Sequence, residues 1–339
     1  MTRGAQNLPL SRAVPVALGL GLAVACASMI QRGDLVGLTG GTPPAESCAE
    51  CHVAIHREWA ASAHARAFTD PTFQEATVNA RARSCVACHV PVTVFHIQGD
   101  PEARTDRLDE GVSCVVCHLD TDDHALAGPL TGLGPLVPHA TVEGDTWFRS
   151  SELCGVCHEG TFSQTQAHAA RVGDRRTCQE CHMPAVDRKT TQATDVLSSA
   201  IVALHDTHPS RRHTFEIGAV ENFPDTLAVR VLSPTRVEVT NLLPHPIPTG
   251  DFGHRVATLT ATRLDSDGRP LASVSRRFTR HEGEAMEPGE RVTLDLGPAP
   301  ETPHEVAITL TREGASEEGV CVIASLRVPV SSASTESAP

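Results

Sequence analysis

Cys48-Ala-Glu-Cys51-His52 is the first of five copies of one word. The others are Cys85-Val-Ala-Cys88-His89, Cys114-Val-Val-Cys117-His118, Cys154-Gly-Val-Cys157-His158 and Cys178-Gln-Glu-Cys181-His182. C-x-x-C-H is the attachment word for c-type haem. Two thiols add to the two vinyl groups of one porphyrin, and the adjoining histidine reaches the iron from the proximal side. Chance placement of 12 Cys and 18 His in 339 residues gives about 0.02 copies of such a word. A zinc knuckle would pair C-x-x-C with a second C-x-x-C or a His pair, with no need for a His after each second Cys. A disulfide framework would not repeat the word. The expectation is five c-type haems, with Cys48, Cys51, Cys85, Cys88, Cys114, Cys117, Cys154, Cys157, Cys178 and Cys181 as covalent attachment points. His52, His89, His118, His158 and His182 are the proximal iron ligands.

Working outward, the composition agrees. Ten of the 12 cysteines belong to the words, leaving Cys26 and Cys321. Aromatic residues make up 3% of the chain and Tyr is absent, so five porphyrins would have to supply most of the apolar bulk around the words. The formal charge of −13 argues against a nucleic-acid partner, which calls for a basic patch.

Haem is attached in this way outside the cytoplasm, which requires an export signal. Residues 1–30 supply a candidate: Arg3 and Arg12 precede an apolar run from Ala13 to Ile30. Three fates stay open. The run is a cleaved signal peptide, a lipoprotein signal with Leu22-Ala-Val-Ala-Cys26 as lipobox and Cys26 as the lipidation site, or a short uncleaved membrane anchor. Residues 31–44 read as a linker, with Gly-Gly and Pro-Pro pairs. Residues 45–218 form a pentahaem cytochrome c domain, sparse and mainly α-helical or loop, with short helices expected at Glu58–Arg66 and Phe73–Arg83 and no sheet needed.

From Phe223 the pattern changes to β-branched alternation. Leu227–Leu232, Arg236–Asn241, Arg255–Leu264, Leu271–Phe278, Arg291–Leu296, Glu305–Thr311 and Val320–Val328 read as seven strands, punctuated by Asp267-Gly268, Gly283 and Pro288-Gly289. The fold class is therefore multidomain, with an all-β immunoglobulin-like sandwich over residues 219–330 and a flexible tail at 331–339. Cys321, alternating with Val322 on the last strand, reads as a small buried hydrophobe.

The sixth ligand of each iron separates electron transfer from chemistry. Besides the initiator only Met29, Met183 and Met286 exist, too few to serve five irons. Histidines outnumber the need: His56, His64, His96, His124, His139, His168, His205, His208 and His213 lie within the haem region, and His245, His254, His281 and His304 lie in the β domain.

Several segments between the words carry a family resemblance. The first word followed by Trp59-Ala-Ala-Ser62-Ala-His64 resembles the opening of the cytochrome c554 family of multihaem cytochromes. Gly111-Val112, Leu153, the Met183-Pro184 that follows the fifth word, and Arg212-His213-Thr214-Phe215 are similar to that family too. Asn241-Leu-Leu-Pro-His245-Pro-Ile-Pro248-Thr249-Gly250 resembles a loop often fused behind such haem domains, with Pro244 in place of its Gly. The resemblance implies that His64 is a distal ligand crossing to the third or fourth haem, and that His124, six residues after the third word, serves the first. His139 and His213 complete the favoured set of distal ligands. His96, His168, His205 and His208 share the remaining position, and His245 reads first as a loop residue.

The leading function is electron transfer through closely spaced haems between redox partner proteins, with attachment to a membrane through the N-terminus if the run is kept or lipidated. The rival is a haem enzyme of the hydroxylamine oxidoreductase or nitrite reductase type, with one open-site haem. The chain has no Tyr to cross-link such a haem and no C-x-x-C-K word, and Lys189 is its only Lys.

Overall fold

A computed structural model describes residues 43–123, 125–128, 139–193, 199, 202–203, 205–215, 226–250, 255–280, 283–298, 304–313 and 320–330. Cys26, His124 and the tail at 331–339 lie outside the described residues. Among the described residues no helix is long and apolar enough to cross a membrane.

The first half is built from short helices placed by the words. α1 (Ala45–Ala49) carries Cys48, and His52 is the N-cap of α2 (Val53–Ala60). α3 (Pro71–Ala76) begins at Asp70, whose carboxylate accepts from Thr72 N at 2.9 Å and Phe73 N at 3.2 Å, with Pro71 in the first turn. The second, third and fifth words are themselves helical: α4 (Arg83–His89), α5 (Cys114–His118) and α9 (Cys178–His182). α6 (Asp145–Phe148) and α7 (Glu152–Gly155) lead into the fourth word, and His158 caps α8 (Glu159–Val172).

Both helices expected from the pattern are displaced. The helix at Glu58–Arg66 starts earlier, on the first word, and ends at Ala60. The one at Phe73–Arg83 stops at Ala76, because Val78, Asn79 and Ala80 adopt φ between 54° and 60°, a left-handed run no α-helix can contain.

Small sheets also occur where none was expected. β1 (Leu119–Asp120), β2 (Ala125–Gly128) and β3 (Thr141–Glu143) form one, and β4 (Ala185–Arg188) pairs antiparallel with β5 (His208–Arg211). Each follows a word and fixes backbone carbonyls beside an imidazole. Among the described residues of this half, Val115 and Leu119 form a small buried cluster with Leu126 against them, and Trp59, Phe73, Val90, Val94, Phe95 and Val116 are buried too.

The second half is β-structured. β6 (Leu227–Ser233), β7 (Arg236–Asn241), β8 (Val256–Leu264), β9 (Pro270–Thr279), β10 (Arg291–Asp295), β11 (His304–Glu313) and β12 (Val320–Val330) occupy the seven expected places. They make two antiparallel sheets, in the orders β10-β7-β6 and β12-β11-β8-β9. Alternate residues point inward. Val237, Val239, Val292 and Leu294 from one sheet meet Leu259, Ala261, Phe278, Val306, Ile308 and Leu310 from the other in one core.

Cys321 departs from expectation, being exposed. Register slips between Leu310 and Thr311, which face Ala324 and Val322, so the β12 backbone bulges at Ile323. The inward alternation of this edge strand is lost beyond that point.

Ile308 is fully buried between the sheets. Ile308→Ala should lower the stability of the β half by about 2–5 kcal/mol, measured by denaturant unfolding followed in far-UV circular dichroism.

Candidate functional site

The ten word cysteines are all half-buried. Thiols of different words lie within hydrogen-bonding reach: Cys48 of Cys114, Cys88 of Cys157, and Cys154 of Cys178. Cys117 of the third word lies close enough to Cys154 and Cys157 of the fourth to act on their ionisation. The five words therefore form one connected cluster, with the fourth word beside the second, third and fifth. Backbone contacts reinforce this. Cys178 N donates to Ser151 Oγ at 3.1 Å, and Gln179 Nε2 donates to Ser150 O at 2.7 Å, so the fifth word is fastened to the segment before the fourth. A capping box, Thr177 with Glu180, starts the fifth word's helix.

Four word histidines face an imidazole from a distant segment. His52 faces His139 with ring centroids 6.4 Å apart. His158 faces His64, His118 faces His213 and His182 faces His245, each at 6.3 Å. Two imidazoles sharing one metal ion, with nitrogen–metal bonds of about 2.0 Å and ring nitrogens about 1.1 Å from the ring centre, hold their centroids about 6.2 Å apart. All four spacings fit that geometry, and the rings are too far apart to touch each other. The fifth word histidine, His89, has a different neighbour: Phe73 stacks on its ring at 3.8 Å.

Hydrogen bonding selects the nitrogen that faces inward. His52 Nδ1 donates to Thr190 O at 2.8 Å, His118 Nδ1 to Ala127 O at 2.7 Å, and His89 Nδ1 to Ala67 O. His213 Nδ1 donates to Arg211 O and His245 Nδ1 to Pro246 O, both at 3.1 Å; His139 Nδ1 donates to Ala140 O at 3.2 Å. A carbonyl can only accept, so each neutral ring carries its proton on Nδ1 and keeps the Nε2 lone pair for a metal. His64 differs, with a buried Nδ1 that has no hydrogen-bond partner.

Burial also keeps six of the rings neutral, the form that can ligate. It brings His64 down to about 3, helped by His158, His89 and His182, and His213 to about 3, helped by His118 and Arg188. His245 falls to about 4, again chiefly by burial. His52, His89 and His118 are lowered for the same reason.

The supporting contacts explain the words between the haem words. Trp59 Nε1 donates to Val112 O at 2.8 Å, and Val112 N donates to His64 O at 2.9 Å. Gly111 sits at φ 55°, where a Cβ would lie 2.4 Å from His64 O. Phe215 meets the His64 ring edge-on at 4.2 Å. Glu58 pairs with Arg188 at 2.8 Å and accepts from His213 N at 2.9 Å, so the helix after the first word positions the imidazole opposite the third. Arg104 is buried, and its guanidinium donates to Pro91 O, Arg107 O and Gly111 O.

The other candidates lie elsewhere. His96 stacks on Phe95 and meets Trp147 edge-on, and His205 Nδ1 bonds Thr191 Oγ1 at 2.8 Å. His168 lies on α8 with a buried, unpartnered Nδ1, and His208 lies on β5. None of these four faces a word imidazole among the described ring contacts. His245, read from the sequence as a loop residue, does. Its signal was the supply of histidines in excess of those among the words.

A haem at each word fits these residues. The donors are paired thiols and, at four of the words, imidazoles at iron-bridging spacing. Among the described residues no group of three or more His, Cys, Asp or Glu converges as a bare-ion site would need. Gly111→Ala should drive a methyl group into the His64 carbonyl and lower stability by about 1–3 kcal/mol, measured by thermal denaturation followed at the Soret band.

Residues 47–119 match the family described as cytochrome c554 and c-prime. The search of curated proteins found no match. A penta-heme cytochrome c552 from Thermochromatium tepidum is similar in structure at 17% identity and a TM-score of 0.52, covering 84% of this chain and 97% of that one. That share is too large for the haem words alone and reaches into the β half. The third fibronectin III domain of human KIAA0343 protein matches 34% of this chain and 86% of its own at 12% identity and a TM-score of 0.22. A putative beta-galactosidase from Bacteroides fragilis matches 31% of this chain and 15% of its own, at 17% identity and a TM-score of 0.18. Residues 47–119 are thus a cytochrome c554-type sequence, in a chain with the fold of a multihaem c-type cytochrome and a β-rich C-terminal extension.

Proposed function

We propose that this chain binds five c-type haems and passes electrons among them outside the cytoplasm. The observation that carries the reading is the shared spacing of word and distant imidazoles. Within the haem-word half these are His52 with His139, His118 with His213, and His158 with His64, at 6.3–6.4 Å. In this reading the ten word cysteines hold the porphyrins, His52, His89, His118, His158 and His182 are proximal ligands, and His139, His213 and His64 are distal ligands. Each haem iron, when bound, takes up or gives away one electron. Paired imidazoles without a thioether ligand keep the potentials below those of His/Met haems.

The thiol contacts support an order of exchange. The first word neighbours the third, the third neighbours the fourth, and the second and fifth both neighbour the fourth. Electrons enter and leave through redox partner proteins. Export through the N-terminal run follows from the attachment chemistry, and lipidation at Cys26 or retention of the run would hold the chain at a membrane. The two sheets support an immunoglobulin-like sandwich whose fourth strand, β9, pairs with the third rather than lying beside the fifth.

Haem quantitation should return five haems per chain, and the EPR spectrum of the oxidised protein should be dominated by low-spin signals. A spectrum dominated by high-spin iron would overturn the reading. His64→Ala should convert one low-spin haem to high spin, and the fourth haem is the one affected. Nitrite or hydroxylamine turnover with a reduced or oxidised dye would instead favour the enzyme reading.

A further inference from the structure

We infer that the β half completes the fifth haem, with His245 as its distal iron ligand, so that this haem is shared by both halves of the chain. The inference rests on the five-haem reading. His182 ends the fifth word in α9, while His245 lies on the loop between β7 and β8. Their rings stand 6.3 Å apart and only 22° from parallel, the spacing found within the haem-word half. His245 donates through Nδ1 to Pro246 O, which leaves Nε2 for the iron.

The loop is built to hold that imidazole. Asn241 is 1% exposed. Its Nδ2 donates to His245 O at 3.2 Å and Met286 O at 3.0 Å, while Oδ1 accepts from Leu243 N at 2.9 Å. A buried amide using both ends on one loop fixes the backbone under His245. Ile247 exchanges two backbone hydrogen bonds with Met286, at 3.0 and 2.8 Å. Arg255 Nη1 donates to Thr249 O at 3.0 Å, and Gly250, at φ 103°, lets that guanidinium approach. A second contact crosses between the halves: Thr249 Oγ1 lies 2.9 Å from Thr161 Oγ1 on α8, the helix that the fourth word begins. The Asn241–Gly250 segment is thus fixed to the β core on one side and meets the fourth and fifth words on the other. Coordination at the fifth haem would report whether the halves are docked.

The test uses the full, haem-loaded chain and its His245→Ala and His245→Met variants, with haem quantitation, EPR of the oxidised state and redox titration. His245→Ala should keep five haems while one of them passes from low to high spin, and added imidazole should restore it. His245→Met should stay low-spin and raise the potential of one haem, because a thioether ligand favours the ferrous state. It also carries the test if the Ala variant fails to mature. His205→Ala, which loses only the bond to Thr191, should change neither. Five attached haems with unchanged spin states and potentials in both His245 variants would overturn the inference. Fewer than five haems in the unaltered chain would overturn the underlying reading, and this one with it.

Discussion

Imidazole rings 6.3 Å apart neither stack nor hydrogen-bond, yet four such pairs recur at one spacing. Holding two rings at a fixed separation without contact needs work from the rest of the chain. Nδ1 hydrogen bonds to backbone carbonyls orient His52, His118, His139, His213 and His245. Glu58, Arg104 and the Trp59–Val112–His64 contact then position segments that lie far apart in sequence. These contacts serve one geometric requirement.

The two halves are stabilised by different means. The β half has an ordinary core in which alternating residues of two sheets interlock. The haem-word half has short helices, small sheets and a cluster of Val115 and Leu119, and Trp59, Phe73, Val90, Val94, Phe95 and Val116 are buried in it as well. Five porphyrins, tied by thioethers and iron bonds, would contribute both the apolar surface and the cross-links.

The sequence made the local features readable and hid the long-range ones. The words are legible because attachment needs Cys, Cys and His within five residues. The seven strands are legible because half-buried antiparallel strands alternate with a period of two. Pairings such as His118 with His213 depend on the β4–β5 hairpin and on Glu58, which no local pattern announces. His245 ranks behind the other candidates in the sequence because it belongs to the other half of the chain, where a loop role competes with ligation. Cys321 followed the alternation rule until a bulge broke it, and the helix from Phe73 ended where three residues turned left-handed, despite a composition that would have allowed it to continue.

The small apolar cluster of the haem-word half bears on how such chains diverge. In a conventional core every buried side chain is constrained by its neighbours, so drift is slow where packing is tight. Here the shape would be held in part by cofactor bonds at a few positions, which eases the demand on the segments between them so long as they deliver an imidazole to its place. Shared architecture at 17% identity with the Thermochromatium tepidum cytochrome, and a family match confined to residues 47–119, are what such a loosely constrained scaffold would produce.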